Sequence, residues 1–228
     1  MTTLAQMISR SRNALSDPDE KTWSDTLLEE WLRDAVRDYS RYIPRVLPEN
    51  QNFISPPYNA FDPPFSFQAI VSMRHYTGTE YEFVVRKDWH SEEFQNGSGK
   101  FYYVRKRSAA DESDRIELSF DVDDYPAEYI QFDYLSDHEW LLDSPDYILT
   151  VIERDEPILV QYVTWRAWLE RSSLEARNPD STTLLLSTHA TNADKAERAY
   201  RRMINDAIKL QNTATSNTIR WKMDKWSS

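Results

Sequence analysis

The chain is most strongly patterned between Trp23 and Pro44, where apolar residues recur at steps of three, four and seven. This spacing predicts an amphipathic helix over 25–43 with one broad apolar face. Ser24 or Asp25 can accept the free amides of its first turn, and Pro44 ends it because proline disfavours helical geometry in the residue before it. Trp23 can fold back over the first turn. The apolar positions are Leu27, Leu28, Trp31, Leu32, Ala35, Val36, Tyr39 and Ile43.

Three further helices are predicted around this one, at about 3–15, 154–175 and 191–212. The third carries Leu159 and Tyr162 on its apolar face, with Pro157 in its first turn. In the fourth, small and large apolar residues alternate along a heptad-like seam. We therefore expect a bundle core that contains Leu27, Leu28, Trp31, Leu32, Ala35, Tyr39, Leu159, Tyr162, Tyr200, Met203 and Ala207.

Between Phe65 and Leu135 the period changes to two, and segments rich in aromatic and β-branched residues alternate with turn signals. They predict about five strands in meander order, forming an antiparallel sheet or a small barrel. Thr77-Gly78-Thr79 predicts a hairpin turn between the first two. The strand segments are FSFQAIVSMRHY, YEFVVRKDW, KFYYVRKR, RIELSFDV and EYIQFDYL.

The predicted fold class is therefore α+β, a bundle of about four helices with an inserted antiparallel β domain and an extended C-terminal tail. Residues 1–60 form the N-terminal helical part, which ends in a proline-rich arm without regular structure. Residues 61–143 are the β domain, 144–212 complete the bundle after an exit loop, and 213–228 are the tail. In the tail Ile219, Trp221 and Met223 alternate as in an extended segment, and Trp226 follows.

Charge and composition narrow the possible functions. With 27 basic and 38 acidic residues the net charge is −11, which disfavours general binding to nucleic acid. The chain has no cysteine, so disulfides and thiolate metal sites are excluded. An aromatic content of 13% exceeds what one core needs and favours large protein–protein contacts. No apolar run reaches the length of a membrane span.

Catalytic motifs are scarce. Three glycines cannot build a phosphate-binding loop, and the four histidines never occur in pairs at metal-ligand spacing. We expect no cofactor, no metal and no enzymatic activity. Asp88 and His90 are the nearest approach to an acid–base pair, and a hydrolase using them is the weakest hypothesis.

The first 45 residues, with TLAQMISRSRNALSD followed by WSDTLLEEWLRDAVRDYSRYIP, resemble the start of head-to-tail adaptor (neck or connector) proteins of tailed phages. That family combines a short helix, an acidic turn, a W-S/T-D cap and a long helix; Arg33 stands where the family has Asn. RDEPILVQYVTWRAWLERSS resembles the family's second long helix. The matching positions of the first helix are Trp23, Ser24, Asp25, Leu28, Leu32 and Ala35.

The resemblance implies a non-enzymatic virion protein of the neck, made in the host cytoplasm. It would form a ring of about twelve copies beneath the portal protein, which it would link to tail or nozzle proteins. Double-stranded DNA would pass through the ring without specific binding, and no membrane is involved. From the residues we expect the tail to dock on a partner through Ile219, Trp221, Met223 and Trp226, and the resemblance implies that this partner is the portal.

A binding module of a different class is the alternative. Its aromatic sheet would hold a carbohydrate or a peptide by stacking, provided that the rings share an exposed cleft. The rings in question are Tyr81, Phe83, Trp89, Phe101 and Tyr103.

Overall fold

The structure is a computed structural model. It describes the backbone of residues 2–224 except 20–21, 53–58, 65, 89, 97–98, 106–114, 123–127 and 144–145. Side chains are described as far as residue 213, except those of residues 143 and 146. It divides into two compact units. One unit consists of Met1–Ile43 and His138–Ser228, and the other of Pro44–Asp137.

The first unit contains four long helices and a β hairpin. The helices are α1 (Leu4–Leu15), α2 (Asp25–Tyr42), α4 (Glu156–Arg177) and α5 (Thr183–Asp224). A 3-10 turn at Glu153–Asp155 leads into α4. The hairpin pairs β9 (Trp140–Asp143) with β10 (Asp146–Leu149). A bridge between Thr3 and Ile148 attaches it beside the start of α1.

Helix α2 forms as its sequence predicts. The Ser24 hydroxyl accepts the Leu27 amide at 3.3 Å, which settles the cap in favour of Ser24, and the helix ends at Tyr42 before Pro44. Trp23 is buried, and its ring lies 5.3 Å from that of Trp31 in an edge-to-face contact. Trp23 therefore folds back onto α2, with its ring contact in the second turn of the helix rather than in the first turn as predicted.

The second unit contains two four-stranded sheets. The first has the order β1-β8-β3-β4 and the second β2-β7-β6-β5. A short helix, α3 (Glu92–Gln95), precedes β6. Both sheets contribute to one hydrophobic cluster, in which Met73 and Phe132 of the first meet Tyr102 and Ile116 of the second. The strands are β1 (Arg45–Gln51), β2 (Ala60–Phe61), β3 (Phe67–Tyr76), β4 (Tyr81–Phe83), β5 (Val85–Arg86), β6 (Phe101–Arg105), β7 (Arg115–Leu118) and β8 (Tyr129–Ser136).

The prediction of a mixed α and β chain with antiparallel sheets is confirmed, and so is the turn at Thr77–Thr79, where the Thr77 amide donates to Glu80 O. The meander order is wrong. β8 pairs with both β1 and β3, and β5 runs parallel to β6. Alternation identifies a strand but not its neighbour, because pairing is decided by which apolar faces meet in the core.

Three predicted loops have regular structure. The proline-rich arm contains β1, an edge strand, where Pro48 is tolerated since no neighbour on its outer side needs its amide hydrogen. The predicted exit loop, 144–155, contains β10, which pairs with β9 at the end of the predicted β domain. Helix α5 starts at Thr183, eight residues earlier than predicted, because the Thr182 hydroxyl accepts the Leu185 amide at 3.3 Å and caps it.

The predicted extended tail is also wrong over most of its length. The backbone of α5 is helical as far as Asp224, so Ile219, Trp221 and Met223 lie on a helix. Trp226 lies outside the described residues. A helix that is already nucleated extends at little cost through a segment without Pro or Gly, and this outweighs an alternation of only three residues.

Candidate interaction surfaces

The first unit has a single large hydrophobic cluster between α1, α2, α4 and α5. The structure places nine of the eleven expected core residues within it. Leu27 and Met203 are half-buried and pack against its edge. This cluster fixes the positions of the surfaces described below. The nine residues are Leu28, Trp31, Leu32, Ala35, Tyr39, Leu159, Tyr162, Tyr200 and Ala207.

Helices α4 and α5 form an antiparallel helical hairpin. Gln161 donates to Ala196 O at 3.1 Å, and the Trp168 and His189 rings stack 5.6 Å apart. At 1.5 Å per residue α5 is about 63 Å long and α4 about 33 Å. The C-terminal part of α5, with the predicted docking positions Ile219, Trp221 and Met223, therefore extends beyond the first turn of α4.

Leucine side chains are exposed at the end of the helical hairpin where α4 is joined to α5. Leu184 is 75% exposed, and Leu169, Leu174 and Leu185 are also exposed. They lie off the seam between the two helices, which is filled by Trp165, Trp168, His189 and Ala193 among others. Large apolar side chains exposed at one end of a helical hairpin suit a surface that another protein covers.

An aromatic cleft lies between α2, α4 and α5. It has a volume of about 210 Å³. The Tyr200 ring packs edge-on against Tyr162 at 5.3 Å and is stacked with Trp165 at 6.0 Å. The lining residues are Asp38, Tyr42, Tyr162, Trp165, Tyr200, Arg201, Ile204 and Asn205.

Polar groups hold the cleft in shape. The Tyr200 hydroxyl donates to Asp38 Oδ2 at 2.6 Å, and burial together with this bond raises the pKa of Tyr200 far above its usual value. Tyr200 is therefore a permanent donor. At the mouth Tyr42 is 46% exposed, and Arg201 pairs with Glu197. The cleft thus has an apolar floor and a charged rim, which suits the side chain of a partner.

The β9–β10 hairpin is the surface that the sequence prediction missed. Its Trp140 and Tyr147 pack against the hydrophobic cluster, and the Arg33 guanidinium lies over the Tyr147 ring at 5.4 Å. Near the turn of the hairpin Leu142, which lies directly opposite Tyr147 in the strand register, is 73% exposed, and Leu141 on the opposite strand face is exposed as well. Two apolar runs, WLL and YIL, on either side of Asp-Ser-Pro-Asp were the available signal for this hairpin.

On the outer face of the first sheet of the second unit three tyrosines cluster. The Tyr76 ring lies 5.0 Å from Tyr81 and 4.9 Å from Tyr129, and the hydroxyls of Tyr81 and Tyr129 are 2.6 Å apart. Phe83 continues this face and is 75% exposed, while Arg74 lies over the Tyr81 ring. We call these residues the tyrosine face.

The four described aromatic residues of the predicted binding sheet are not brought together. Tyr81 and Phe83 are on β4 of the first sheet, whereas Phe101 and Tyr103 are half-buried on β6 of the second. Trp89 lies outside the described residues. The residues that do join Tyr81 are Tyr76 and Tyr129, which the cross-strand register places beside it.

The predicted acid–base pair forms a turn. Asp88 Oδ1 accepts the backbone amide of His90 at 2.9 Å, and both residues are exposed. This is the hydrogen-bond pattern of an Asx turn, and it leads into α3.

A polar cluster around the buried His75 lies elsewhere in the second unit. His75 Nε2 is 2.8 Å from Glu128 Oε2, and His75 Nδ1 contacts Lys100 Nζ, which also pairs with Glu82. Since an ammonium group can only donate, Nδ1 is the acceptor and Nε2 carries the proton. Burial and the charge of Lys100 lower the pKa of His75.

No helix in the described ranges is long and apolar enough to cross a bilayer. A scan against models of protein families finds none that matches the chain, and a search of curated proteins finds no match either.

Proposed function

We propose that the protein is a structural head-to-tail adaptor of a tailed phage. In this proposal α1, α2, α4 and α5 form a four-helix bundle that carries the second unit as an inserted β domain. About twelve copies form a ring beneath the portal, joined to tail or nozzle proteins, and DNA passes through it. The net charge of −11 suits a channel that must not hold DNA.

The observation that carries this proposal is the exposed apolar surface of the first unit. Leu184 and Leu185 at the connecting end of the helical hairpin, and Leu142 on the β hairpin, are exposed to water although their unit has its own hydrophobic cluster. A chain with so much exposed leucine is built for assembly with other proteins. The resemblance of Trp23–Pro44 to the adaptors then specifies the kind of assembly.

Portal docking is assigned in this proposal to the projecting end of α5. Ile219, Trp221 and Met223 lie there, and Trp226 follows in the sequence. Burying tryptophans in a partner's groove is a common source of affinity at interfaces.

The direct test is light scattering of the purified chain, alone and mixed with its candidate portal ring. We expect a complex with about one copy per portal subunit. Changing Ile219, Trp221, Met223 and Trp226 to Ser should abolish it, whereas the control Leu210→Ser, at an exposed position on the same helix, should not. A wild-type chain that remains separate from every portal contradicts the proposal.

The tyrosine face favours a second function, a binding module for carbohydrate or peptide. Exposed Tyr81 and Phe83 beside Tyr76 offer rings for stacking, with the cation of Arg74 at the edge. Calorimetry with cell-envelope polysaccharide tests it. This function is supported if the wild type releases heat of binding and the double variant Tyr81→Ala and Phe83→Ala does not. It is excluded if neither protein gives a heat of binding.

A further inference from the structure

Two apolar features of the first unit lie on opposite sides of α2. Arg33 contacts Tyr147 of the β9–β10 hairpin, and Tyr42 lines the aromatic cleft. Nine residues separate Arg33 from Tyr42, and at 3.6 residues per turn this is a rotation of about 180° around the helix. The exposed Leu142 and the cleft are thus placed on opposite flanks of the same unit.

The two features also match in size. Leu141 and Leu142 project from the hairpin, and the cleft offers an aromatic floor made by Tyr162, Trp165 and Tyr200. Apolar cavities of about 150 Å³ accept benzene, so a cleft of about 210 Å³ has room for a leucine side chain.

The hairpin segment and the part of α5 beside the cleft carry net charges of opposite sign. The hairpin segment 138–149 contains three acidic residues and no Lys or Arg. The stretch of α5 beside the cleft, 195–202, contains four basic residues and one acidic. This basic stretch reaches the mouth of the cleft through Arg201. Such complementarity orients a partner and excludes wrong ones.

We propose that the β9–β10 hairpin of one copy binds in the aromatic cleft of a second copy of this chain. Leu142 would enter between Tyr42 and Trp165, with Glu139 near Arg201. A contact between two different patches on opposite flanks is heterologous, and repeated heterologous contacts generate a ring when the rotation closes. This interface rests on the proposed adaptor function, for which it supplies the subunit contact.

The absence of cysteine from the sequence makes site-specific crosslinking possible. A Leu142→Cys chain and an Asn205→Cys chain are mixed and treated with a short bis-maleimide. We expect a covalent dimer in the mixture and little in either chain alone. The matched control is Leu210→Cys, which lies on the same helix at an exposed position outside the cleft. Equal crosslinking of Leu142→Cys to positions 205 and 210, or none above background, overturns the interface.

Charge reversal provides a second measurement. Glu139→Lys or Arg201→Glu should each reduce the crosslinked dimer about tenfold, and combining the two in one mixture should restore it. Two single losses without restoration overturn the proposed pairing. Crosslinking without portal binding refutes the adaptor function alone, and portal binding without this crosslink refutes the interface alone.

Discussion

At the scale of single residues, Arg12 links the end of α1 to the start of α2. Its guanidinium is 6% exposed and donates to Trp23 O at 2.9 Å and to Asp25 Oδ1 at 3.0 Å, and it pairs with Asp17. These contacts connect the end of α1 with the turn that follows it and with Asp25, the first residue of α2. A buried cation with this many acceptors is costly to remove, since its partners lose their compensation.

We predict that Arg12→Met lowers the free energy of unfolding by about 3 kcal/mol, because the Trp23 carbonyl and Asp17 lose a charged donor in a buried site. Urea denaturation measures the change. The control Arg37→Met removes an exposed pair with Asp34 and should cost less than about 0.5 kcal/mol. Equal losses in the two variants would contradict this role of Arg12.

His75 predicts a pH dependence. Burial and then Lys100 lower its pKa in the folded chain below the 6.5 of an unperturbed histidine. As the pH falls from 6.5 toward the folded pKa, the unfolded chain binds a proton that the folded chain does not. The free energy of unfolding must therefore decrease over that range, while above it His75 contributes no slope.

The measurement is urea denaturation between pH 7 and pH 5 of the wild type and of His75→Gln, which has no group titrating there. The difference between the two proteins isolates the contribution of His75. His90→Gln, at an exposed position, should reproduce the wild-type slope. A His75→Gln protein with an unchanged pH slope would show that His75 is not the responsible group.

At the scale of elements, the close packing of α4 and α5 depends on small residues. Ala193 and Ala196 are buried on the face of α5 toward α4, and Gln161 donates to Ala196 O. With an alanine at these positions the large rings of Trp165 and Trp168 fit into the seam.

We predict that Ala196→Leu destabilises the protein by about 1–3 kcal/mol, because the added atoms overfill this seam. Ala190→Leu, at an exposed position of the same helix, should change the stability by less than about 0.5 kcal/mol. Thermal unfolding followed by circular dichroism distinguishes them. If both leucines were tolerated equally, the seam would not be close-packed.

At the scale of the whole molecule, each unit has its chain ends close together. Arg45 lies directly opposite Ser136 in the β1–β8 pair, so the second unit begins and ends at adjacent points. In the first unit the His138 amide donates to Ser40 Oγ at 2.8 Å, which brings the end of the first segment next to the start of the second. Each unit also has its own hydrophobic cluster.

We therefore predict that the two units fold separately. Residues 44–137 expressed alone should unfold in one cooperative transition, and so should a chain in which a short Gly-Ser linker joins Ile43 to His138. Denaturation followed by far-ultraviolet circular dichroism measures both. A broad, non-cooperative transition in either protein would show that the unit needs the other.

The sequence by itself determined the long helices and the strands whose pattern is local. The apolar stripe of α2, the candidate caps Ser24 and Asp25, and Pro44 define α2 without any other part of the chain, and the alternation around Met73 and Phe132 defines β3 and β8. These signals are local because helix periodicity, capping and strand alternation all act over a few residues.

Only the tertiary structure decided which elements become neighbours. It placed β8 between β1 and β3, joined Tyr129 to Tyr76 and Tyr81, and formed the cleft from α2, α4 and α5. It also showed that Leu142 stays in water while Trp140, two residues before it, packs on the core. Contacts between distant segments depend on the shape of the whole core, and no local pattern of residues contains that information.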